Sequence, residues 1–311
     1  MSTYEIGYII GPCINAAGRL DTAELSFNLF NENDPMKLAK IVGEMLDTNR
    51  VRQDLTARAY ENAVYEVELR GSPVDRMIVL YMPGTHESIC GIVAGKIKDK
   101  YSRPVIILTD AASKRLKGSG RSVEGFDLLN CVKRADKFLL KYGGHKMAVG
   151  VMLEKDNFEL FRCEIIERCG IGDETITPKE RIDVCLTPED VTMDLAKELT
   201  RLEPFGRGNE KPVFALKGLL IEYASLIGAK RNVVKMKLRP VTGDAQTIDA
   251  ILFGDSGLFM QKLDIVDDGS GQLICRSSPR VCVDVTFHTE INDYNGFRKV
   301  QLIIRSIRKA A

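Results

Sequence analysis

The fold of this chain is decided by a stretch that reads MIVLYM at residues 77–82, ICGIVAGKIKDKY at 89–101 and PVIILT at 104–109. The first and last segments are apolar runs of strand length, whereas the middle one spaces its apolar residues as a helix does. Alternation of strand, helix and strand is typical of an α/β domain. We therefore predict an α/β domain built around this stretch.

The same alternation continues downstream. We predict a strand at 118–123, mostly helix at 126–142, a strand at 147–153 that follows a Gly-Gly-His turn, and a helix at 157–169. Residues 170–179 are polar and contain Gly172 and Pro178, which predicts a linker.

Upstream of the deciding stretch, residues 1–22 are rich in glycine and asparagine, which predicts a loop that enters a helix. From Pro35 to Gly71 apolar residues recur at helical spacing, so that this segment forms either one long amphipathic helix or two helices in tandem.

The C-terminal part has a different pattern. A helix is predicted at about 188–202, and after it short apolar or alternating runs are separated by turns. Five such strands fit a small barrel of the OB type. The predicted strands lie at 213–223, 233–239, 247–253, 280–290 and 300–307.

Composition restricts the class of protein. The 311 residues are 44% hydrophobic and 28% charged, which favours two or three folded domains. The net charge is +1, so nucleic acid would be bound by local patches and not by overall charge. No apolar run reaches the roughly 18 residues that a membrane helix needs, and no secretory signal is recognisable. The eight cysteines form no C-x-x-C pair, which favours free thiols in a reducing cytoplasm.

Residues 117–145 carry the strongest functional signal, a candidate phosphate site. The stretch opens on Lys117-Gly118-Ser119-Gly120-Arg121-Ser122 and closes on Gly143-Gly144-His145. Glycines let an anion approach the backbone, and an arginine fork binds two phosphate oxygens at once. His145 adds a group that can donate a hydrogen bond to a phosphate oxygen or protonate a leaving group. The alternative is a tight turn with a surface arginine.

Other candidates lie outside this stretch. Arg19 follows a glycine and is suited to reach a phosphate, and His86 lies between a strand and a helix, where either a ligand contact or a structural role is possible. We interpret 49–53 as a solvated helix face. In the C-terminal part Phe205 either stacks on a base or plugs the barrel, with the plug favoured. Single-strand contacts are also plausible for residues at or near predicted turns: Lys230, Arg231, Tyr294, Phe297 and Arg298.

Several catalytic patterns are missing from the sequence. It contains no Asp-His-His, His-x-Asp or Asp-x-Asp sequence that would hold a pair of metal ions, and no recognisable Ser-His-Asp set or P-loop.

Taken in order, the segments resemble the RecJ family of single-stranded-DNA-specific exonucleases, within the DHH phosphoesterase superfamily. The matching pieces are Gly11-Pro12, Asn15-Ala16-Ala17-Gly18-Arg19, Asn49 with Arg52-Gln53, His86 with Gly91-Ile92-Val93-Ala94, Arg103-Pro104-Val105, Gly118-Ser119-Gly120-Arg121-Ser122, Gly143-Gly144-His145, Leu202-Glu203-Pro204-Phe205-Gly206 with Gly208-Asn209, and Tyr294-Asn295-Gly296 with Gln301.

The resemblance implies a layout. Residues 1–70 would be the end of a DHH domain with its connecting helix, 71–170 an α/β DHHA1 domain, 171–180 a linker, and 181–311 a mostly β OB-fold domain that grips the strand. Arg19, Ser119 and Arg121 would hold a terminal 5′-phosphate, and His145 would face the scissile phosphate. Ser122, Gly143, Gly144 and His86 complete the expected phosphate site.

The resemblance also implies partners and a cofactor. Single-stranded DNA is the expected ligand, with a single-strand-binding protein or a helicase as further partners and no membrane. The complete enzyme would use Mn²⁺ or Mg²⁺; we expect this chain alone to hold no metal and to be nearly inactive. Two alternatives stay open: a stand-alone module that binds single strands, and a DHH-type phosphoesterase that acts on short oligonucleotides.

Overall fold

A computed structural model describes residues 3–20, 22–71, 74–229, 231–241, 246–254, 256–276, 281–294 and 296–310, with only the backbone of Tyr294. The chain divides into two compact units, Met1–Lys179 and Glu180–Ala311. In these ranges, no helix combines the length and the apolar character that a membrane span requires.

The first unit begins with helices. A π-helical segment at Glu5–Ile10 leads into α1 (Gly11–Leu20), and α2 (Glu24–Asn31) follows. The loop predicted for 1–22 was therefore wrong. Ala16 and Ala17 are both 0% exposed, and their burial in the tertiary structure outweighs the low helix propensity of the neighbouring glycines and asparagine.

A single helix, α3 (Pro35–Leu69), settles the alternative between one helix and two. Asp34 caps it by accepting a hydrogen bond of 2.8 Å from the Met36 amide, and Pro35 occupies the first turn, where no backbone donor is needed. Its buried side chains recur at helical spacing: Met45, Asn49, Thr56, Ala59, Ala63 and Val67.

The predicted α/β domain is confirmed. Its elements are β1 (Ile78–Tyr81), α4 (Glu87–Tyr101), β2 (Val105–Ala111), β3 (Arg115–Arg121), α5 (Leu128–Lys133), β4 (Lys141–His145), β5 (Ala148–Glu154), α6 (Phe158–Glu167) and α7 (Asp173–Ile176). The sheet has the order β1-β2-β3-β5-β4, with β1 and β2 parallel and the other pairs antiparallel.

The two faces of this sheet are covered differently. On one face, residues of β2, β3 and β5 pack with α5 and α6 into a core that contains Leu116 and Phe161. On the other face, α3 and α4 cover β1 and β2. Beyond α4 that face is open, because a Cβ built on Gly143 of β4 or Gly150 of β5 would meet no atom within 4 Å. We call this part of the face, which β5 and β4 expose and which Ser119 and Arg121 of β3 border, the open sheet face.

The sequence predictions for two regions of this unit, 126–145 and 170–179, were wrong. Gly143-Gly144-His145 forms part of the edge strand β4 and is not a turn, and within 126–142 only α5 and a 3₁₀ turn at Asp136–Phe138 are helical. Segment 170–179 is not a plain linker, since it contains α7 and buries Ile171 and Ile176 in the core. In both places contacts distant in sequence decide the outcome and outweigh the local turn signals.

The second unit is the predicted five-stranded barrel with additions. Its elements are β6 (Val184–Cys185), α8 (Met193–Thr200), β7 (Phe214–Ile227), β8 (Val233–Pro240), β9 (Ile248–Phe253), α9 (Ser256–Leu263), β10 (Ile265–Asp267), β11 (Leu273–Cys275), β12 (Cys282–Tyr294) and β13 (Phe297–Lys309). The sheet order is β12-β13-β9-β8-β7-β6, and the pairing of β12 with β7 closes the barrel. The sequence did not predict α9, β6 or the β10–β11 hairpin.

Candidate functional site

Ser119 and Arg121 lie two residues apart on β3, so their side chains stand on the same face of the sheet. The Arg121 Nη1 donates hydrogen bonds to Ser119 Oγ at 2.9 Å and to the Gly120 carbonyl at 2.8 Å. The guanidinium is half-buried and directed along the face, which is the pre-organised geometry that an anion site requires.

A glycine in the middle of α4 makes room for this arginine. A Cβ built on Gly91 would lie 2.7 Å from Arg121 Nη2 and 3.0 Å from Ser119 Oγ. Any larger residue at this position would displace the guanidinium. The position of Gly91 therefore has a structural reason that offsets the helix-destabilising effect of glycine.

Two rows of residues cross the open sheet face. In one row Arg121 pairs with Ala148, which pairs with His145; in the next, Ser119 pairs with Gly150, which pairs with Gly143. Adjacent strands are about 4.8 Å apart, so Arg121 and His145 are separated by roughly 10 Å across a surface of small residues. Arg121 and the exposed His145 thus lie on opposite sides of a strip of sheet that carries only alanine and glycine.

Arg19 and His86 meet at the N-terminus of α4. The Arg19 Nη1 donates to the carbonyl of Ser88 at 3.2 Å, and the Ser88 amide donates to His86 Nδ1 at 3.4 Å. His86 is thereby the N-cap of α4, which supports the structural role weighed from the sequence. His86 Nδ1 also lies 2.7 Å from the Ser88 hydroxyl.

Three guanidinium groups form a positive cluster. Partial burial and then the charge of Arg19 lower the pKa of Arg121, and the same two causes, in that order, lower the pKa of Arg52 on α3. Within the described ranges, none of the three arginines has an ion pair with a carboxylate. Like charges held together without acidic partners are a suitable environment for an anion.

Ser122 does not join this cluster. Its side chain is 1% exposed, and its hydroxyl donates to the carbonyl of Phe126 at 2.8 Å. The hydroxyl therefore stabilises the turn after β3, and we leave Ser122 out of the phosphate site. Gly144, with a φ of +138°, meets a backbone requirement in β4.

The C-terminal candidates are scattered. Arg298 pairs with Asp293 at 2.8 Å, and Arg231 pairs with Asp267 at 2.7 Å. Phe205 is half-buried but is not among the side chains that pack against the barrel core, so the favoured plug role is not observed. Phe297 is 74% exposed. The side chain of Tyr294 and the whole of Lys230 lie outside the described residues.

A second surface was missed by the sequence reasoning. Along β8, Lys235 and Lys237 are exposed, and in the strand register Tyr223 pairs with Lys237 while Phe253 pairs with Val233 on the same side. Tyr223 is 41% and Phe253 59% exposed. We call these four side chains, Tyr223, Lys235, Lys237 and Phe253, the barrel face. Cations beside exposed rings are the combination that binds single strands.

The signal for the barrel face was present in the sequence as strict alternation in β8. Three residues of this strand are 0% exposed and face the core, namely Val234, Met236 and Leu238. The residues between them must then point outward. Their aromatic neighbours come from β7 and β9, and only the strand register identifies those.

No group of three or more His, Cys, Asp or Glu side chains among the described residues is arranged to hold an ion. The residues present there therefore do not fit a Mn²⁺ or Mg²⁺ ion, and we assign no metal-dependent step to them.

Comparison with known proteins gives the following matches. A family model described as a DHHA1 domain matches residues 75–170, and one described as a RecJ OB domain matches residues 182–306. The single-stranded-DNA-specific exonuclease RecJ of Bacillus subtilis (strain 168) is 28% identical over 306 residues, covering 96% of this chain and 36% of that protein. The corresponding Escherichia coli (strain K12) protein is 30% identical over 318 residues, covering 99% of this chain and 52% of that protein.

Among solved structures, the crystal structure of RecJ in complex with Mg²⁺ from Thermus thermophilus superimposes with a TM-score of 0.77 at 25% identity. The match covers 100% of this chain and 44% of that chain. The chain therefore spans roughly one third to one half of the length of these relatives.

Proposed function

The chain belongs to the RecJ family of single-stranded-DNA-specific exonucleases, and we propose that it forms the DNA-holding portion of such an enzyme. In this proposal Arg19, Ser119 and Arg121 hold the terminal 5′-phosphate. The observation that carries it is a cluster of guanidiniums that have no carboxylate partner among the described residues and lie beside a surface of small residues, because this arrangement offers charge, fixed donors and space at one place.

His145 has a distinct part in the proposal. Its imidazole lies on the same face as Arg121 but at the far edge of the open sheet face. We assign it a hydrogen bond to the phosphodiester that follows the held end. Mn²⁺ or Mg²⁺ would supply the Lewis acid and the activated water for hydrolysis in the complete enzyme. The described residues hold the DNA, and none of them is assigned that step.

The barrel face would hold the strand itself. Lys235 and Lys237 neutralise backbone phosphates, and Tyr223 and Phe253 offer rings on which bases stack regardless of sequence. A grip on several nucleotides disfavours the alternative of a phosphoesterase for short oligonucleotides. A cytoplasmic location and a single-strand-binding protein or helicase as partner belong to the same proposal.

Binding by the intact chain tests the proposed function. We expect single-stranded oligothymidylates labelled at the 3′ end to bind more tightly with a 5′-phosphate than with a 5′-hydroxyl in a fluorescence anisotropy titration. Affinity should fall with salt, by a slope of about 0.7 per neutralised phosphate. The double variant K235A/K237A should reduce that slope yet keep the preference for the 5′-phosphate.

Two results would contradict the proposal. Equal binding of both 5′ ends would remove the end-holding role, and a flat salt titration would point to a protein partner instead. Digestion of the same oligonucleotides by the purified chain with Mn²⁺ would show that it carries a catalytic metal site of its own. We expect little or no digestion.

The contact between Gly91 and Arg121 gives a separate prediction. Gly91→Ala should stabilise the chain by clearly less than the roughly 1 kcal/mol that the higher helix propensity of alanine provides, because displacing Arg121 breaks its hydrogen bonds to Ser119 and to the Gly120 carbonyl. The new methyl group should at the same time push Arg121 out of place and weaken binding of 5′-phosphorylated oligonucleotides several-fold. Thermal melting and anisotropy titration measure the two effects.

Gly95 on the same helix provides the matched control. A Cβ at Gly95 meets nothing within 4 Å, so Gly95→Ala should bring the full gain in stability, about 1 kcal/mol, with no loss of binding. Unchanged binding in both variants would mean that the observed position of Arg121 is not needed for the phosphate.

A further inference from the structure

The buried Asn49 and the half-buried Arg52 form a pair on α3, in a segment that the sequence had led us to interpret as a solvated helix face. Asn49 is 9% exposed, and its Oδ1 accepts from Arg52 Nε at 3.1 Å and from Arg52 Nη2 at 3.0 Å. Its Nδ2 in turn donates to Cys13 Sγ on α1 at 3.4 Å. The amide therefore fixes one edge of the guanidinium and ties it to the helix that carries Arg19.

The free edge of Arg52 belongs to the positive cluster. In the described part of the chain, Arg52 Nη1 has no hydrogen-bond or ion-pair partner, and the charge of Arg19 acts on Arg52 as it does on Arg121. The group that holds the guanidinium of Arg52 is the neutral side-chain amide of Asn49 and not a carboxylate. Arg52 is thus positioned without being neutralised, and its free edge stays available to an anion.

A charge count indicates which anion. A terminal phosphate carries about two negative charges near neutral pH, and each following phosphodiester carries one. Arg19 and Arg121 together balance the terminal group. A third guanidinium is then in excess for a lone phosphate but matches a terminal phosphate that is followed by a phosphodiester.

We infer that Arg52, positioned by Asn49, binds the phosphodiester that follows the terminal 5′-phosphate, so that the site recognises a strand end and not an isolated monophosphate. This inference rests on the proposed function, since Arg19 and Arg121 must hold the terminal group. Asn49 is a positioning residue that acts through the arginine.

The test compares a ligand with one phosphate and a ligand with two. Thymidine 5′-monophosphate and 5′-phosphorylated dithymidylate are each titrated as competitors of a labelled 5′-phosphorylated oligonucleotide bound to the intact chain. We expect the dinucleotide to compete better. Arg52→Ala should weaken the dinucleotide about tenfold and leave the mononucleotide unchanged, because one charge-assisted contact is lost.

Arg50 is the matched control on the same helix. It is an exposed arginine two residues away whose Nη1 lies 3.5 Å from Asp47 Oδ1. Arg50→Ala should leave both competitors unchanged. If α3 were merely a basic solvated face, Arg50→Ala and Arg52→Ala would weaken both ligands alike, and this result would overturn the inference.

Asn49→Asp separates binding from structural support. A carboxylate would keep the fork to Arg52 but neutralise it, so affinity for the dinucleotide should fall about tenfold. The melting temperature should change little, because the new ion pair with Arg52 offsets the lost hydrogen bond to Cys13 Sγ. Unchanged dinucleotide affinity, or equal losses for both ligands, contradicts the inference. If Arg121→Ala still weakens the mononucleotide while Arg52→Ala affects neither ligand, the inference fails and the proposed function stands. If neither ligand competes with the wild-type chain, both fail.

Discussion

Arg121→Ala is expected to remove the preference for a 5′-phosphate over a 5′-hydroxyl end. The guanidinium of Arg121 is half-buried, and its hydrogen bonds to Ser119 and to the Gly120 carbonyl hold it in place. Little conformational entropy is therefore lost when Arg121 binds a ligand. A charge-assisted, bidentate contact contributes about 1.5–3 kcal/mol, which corresponds to a loss of about 10- to 100-fold in affinity for the phosphorylated end. Affinity for the hydroxyl end should change much less.

The control for this prediction lies on the same strand. Arg115 pairs with Glu154 at 3.3 Å at the other end of β3, so Arg115→Ala removes an equal charge that is already balanced. Anisotropy titrations of both variants against both oligonucleotides decide the matter. Parallel losses for the two 5′ ends in Arg121→Ala would show that this residue contributes only to general electrostatic attraction.

The second large effect is expected from Gly144→Ala. Gly144 has a φ of +138°, and a Cβ there would collide with the carbonyl oxygen of Ala148 on the paired strand β5. Neither the backbone nor the oxygen can yield cheaply, so we expect the free energy of unfolding of the first unit to fall by about 3 kcal/mol. Urea denaturation of the intact chain, with hydrogen exchange at the β4 and β5 amides, measures this loss.

A substitution at the neighbouring Gly143 distinguishes the effect of backbone strain from the effect of filling space that a ligand would occupy. Gly143 has open space where a Cβ would stand, so Gly143→Ala should fold normally. Its methyl group would, however, intrude on the open sheet face and weaken oligonucleotide binding. If both alanine variants proved equally stable, the close approach of β4 to β5 at Gly144 would not be a real constraint on the fold.

Much of this fold follows from local pattern. The sequence shows the apolar runs at β1 and β2, the periodic helix α3 and the alternating strands of the barrel. They can be recognised because burial fixes the spacing of the apolar residues and the length of each apolar run. The same holds for Ser119 and Arg121, whose spacing on a strand places them on one face.

Other features depend on partners distant in the chain. Gly143 and Gly144 have the local composition of a turn, and only pairing with β5 makes them a strand. Arg52 cannot be distinguished from a solvated arginine until α1, with Cys13, is placed against Asn49. Tyr223 and Phe253 become neighbours of the β8 lysines through strand register, which no local window contains.

The length of α3 has a consequence for how this family can vary. The middle of the helix carries Asn49 and Arg52 against α1, and its C-terminal part buries Ala59, Ala63 and Val67 near the sheet. An α-helix turns by about 100° per residue, so a single inserted residue between these two groups would swing Arg52 a quarter of a turn or more away from Arg19. Insertions of about seven residues, close to two full turns, would preserve the phase. The number of residues between these two groups therefore fixes the direction in which Arg52 points, and we expect substitutions along the helix to be tolerated more readily than changes in its length.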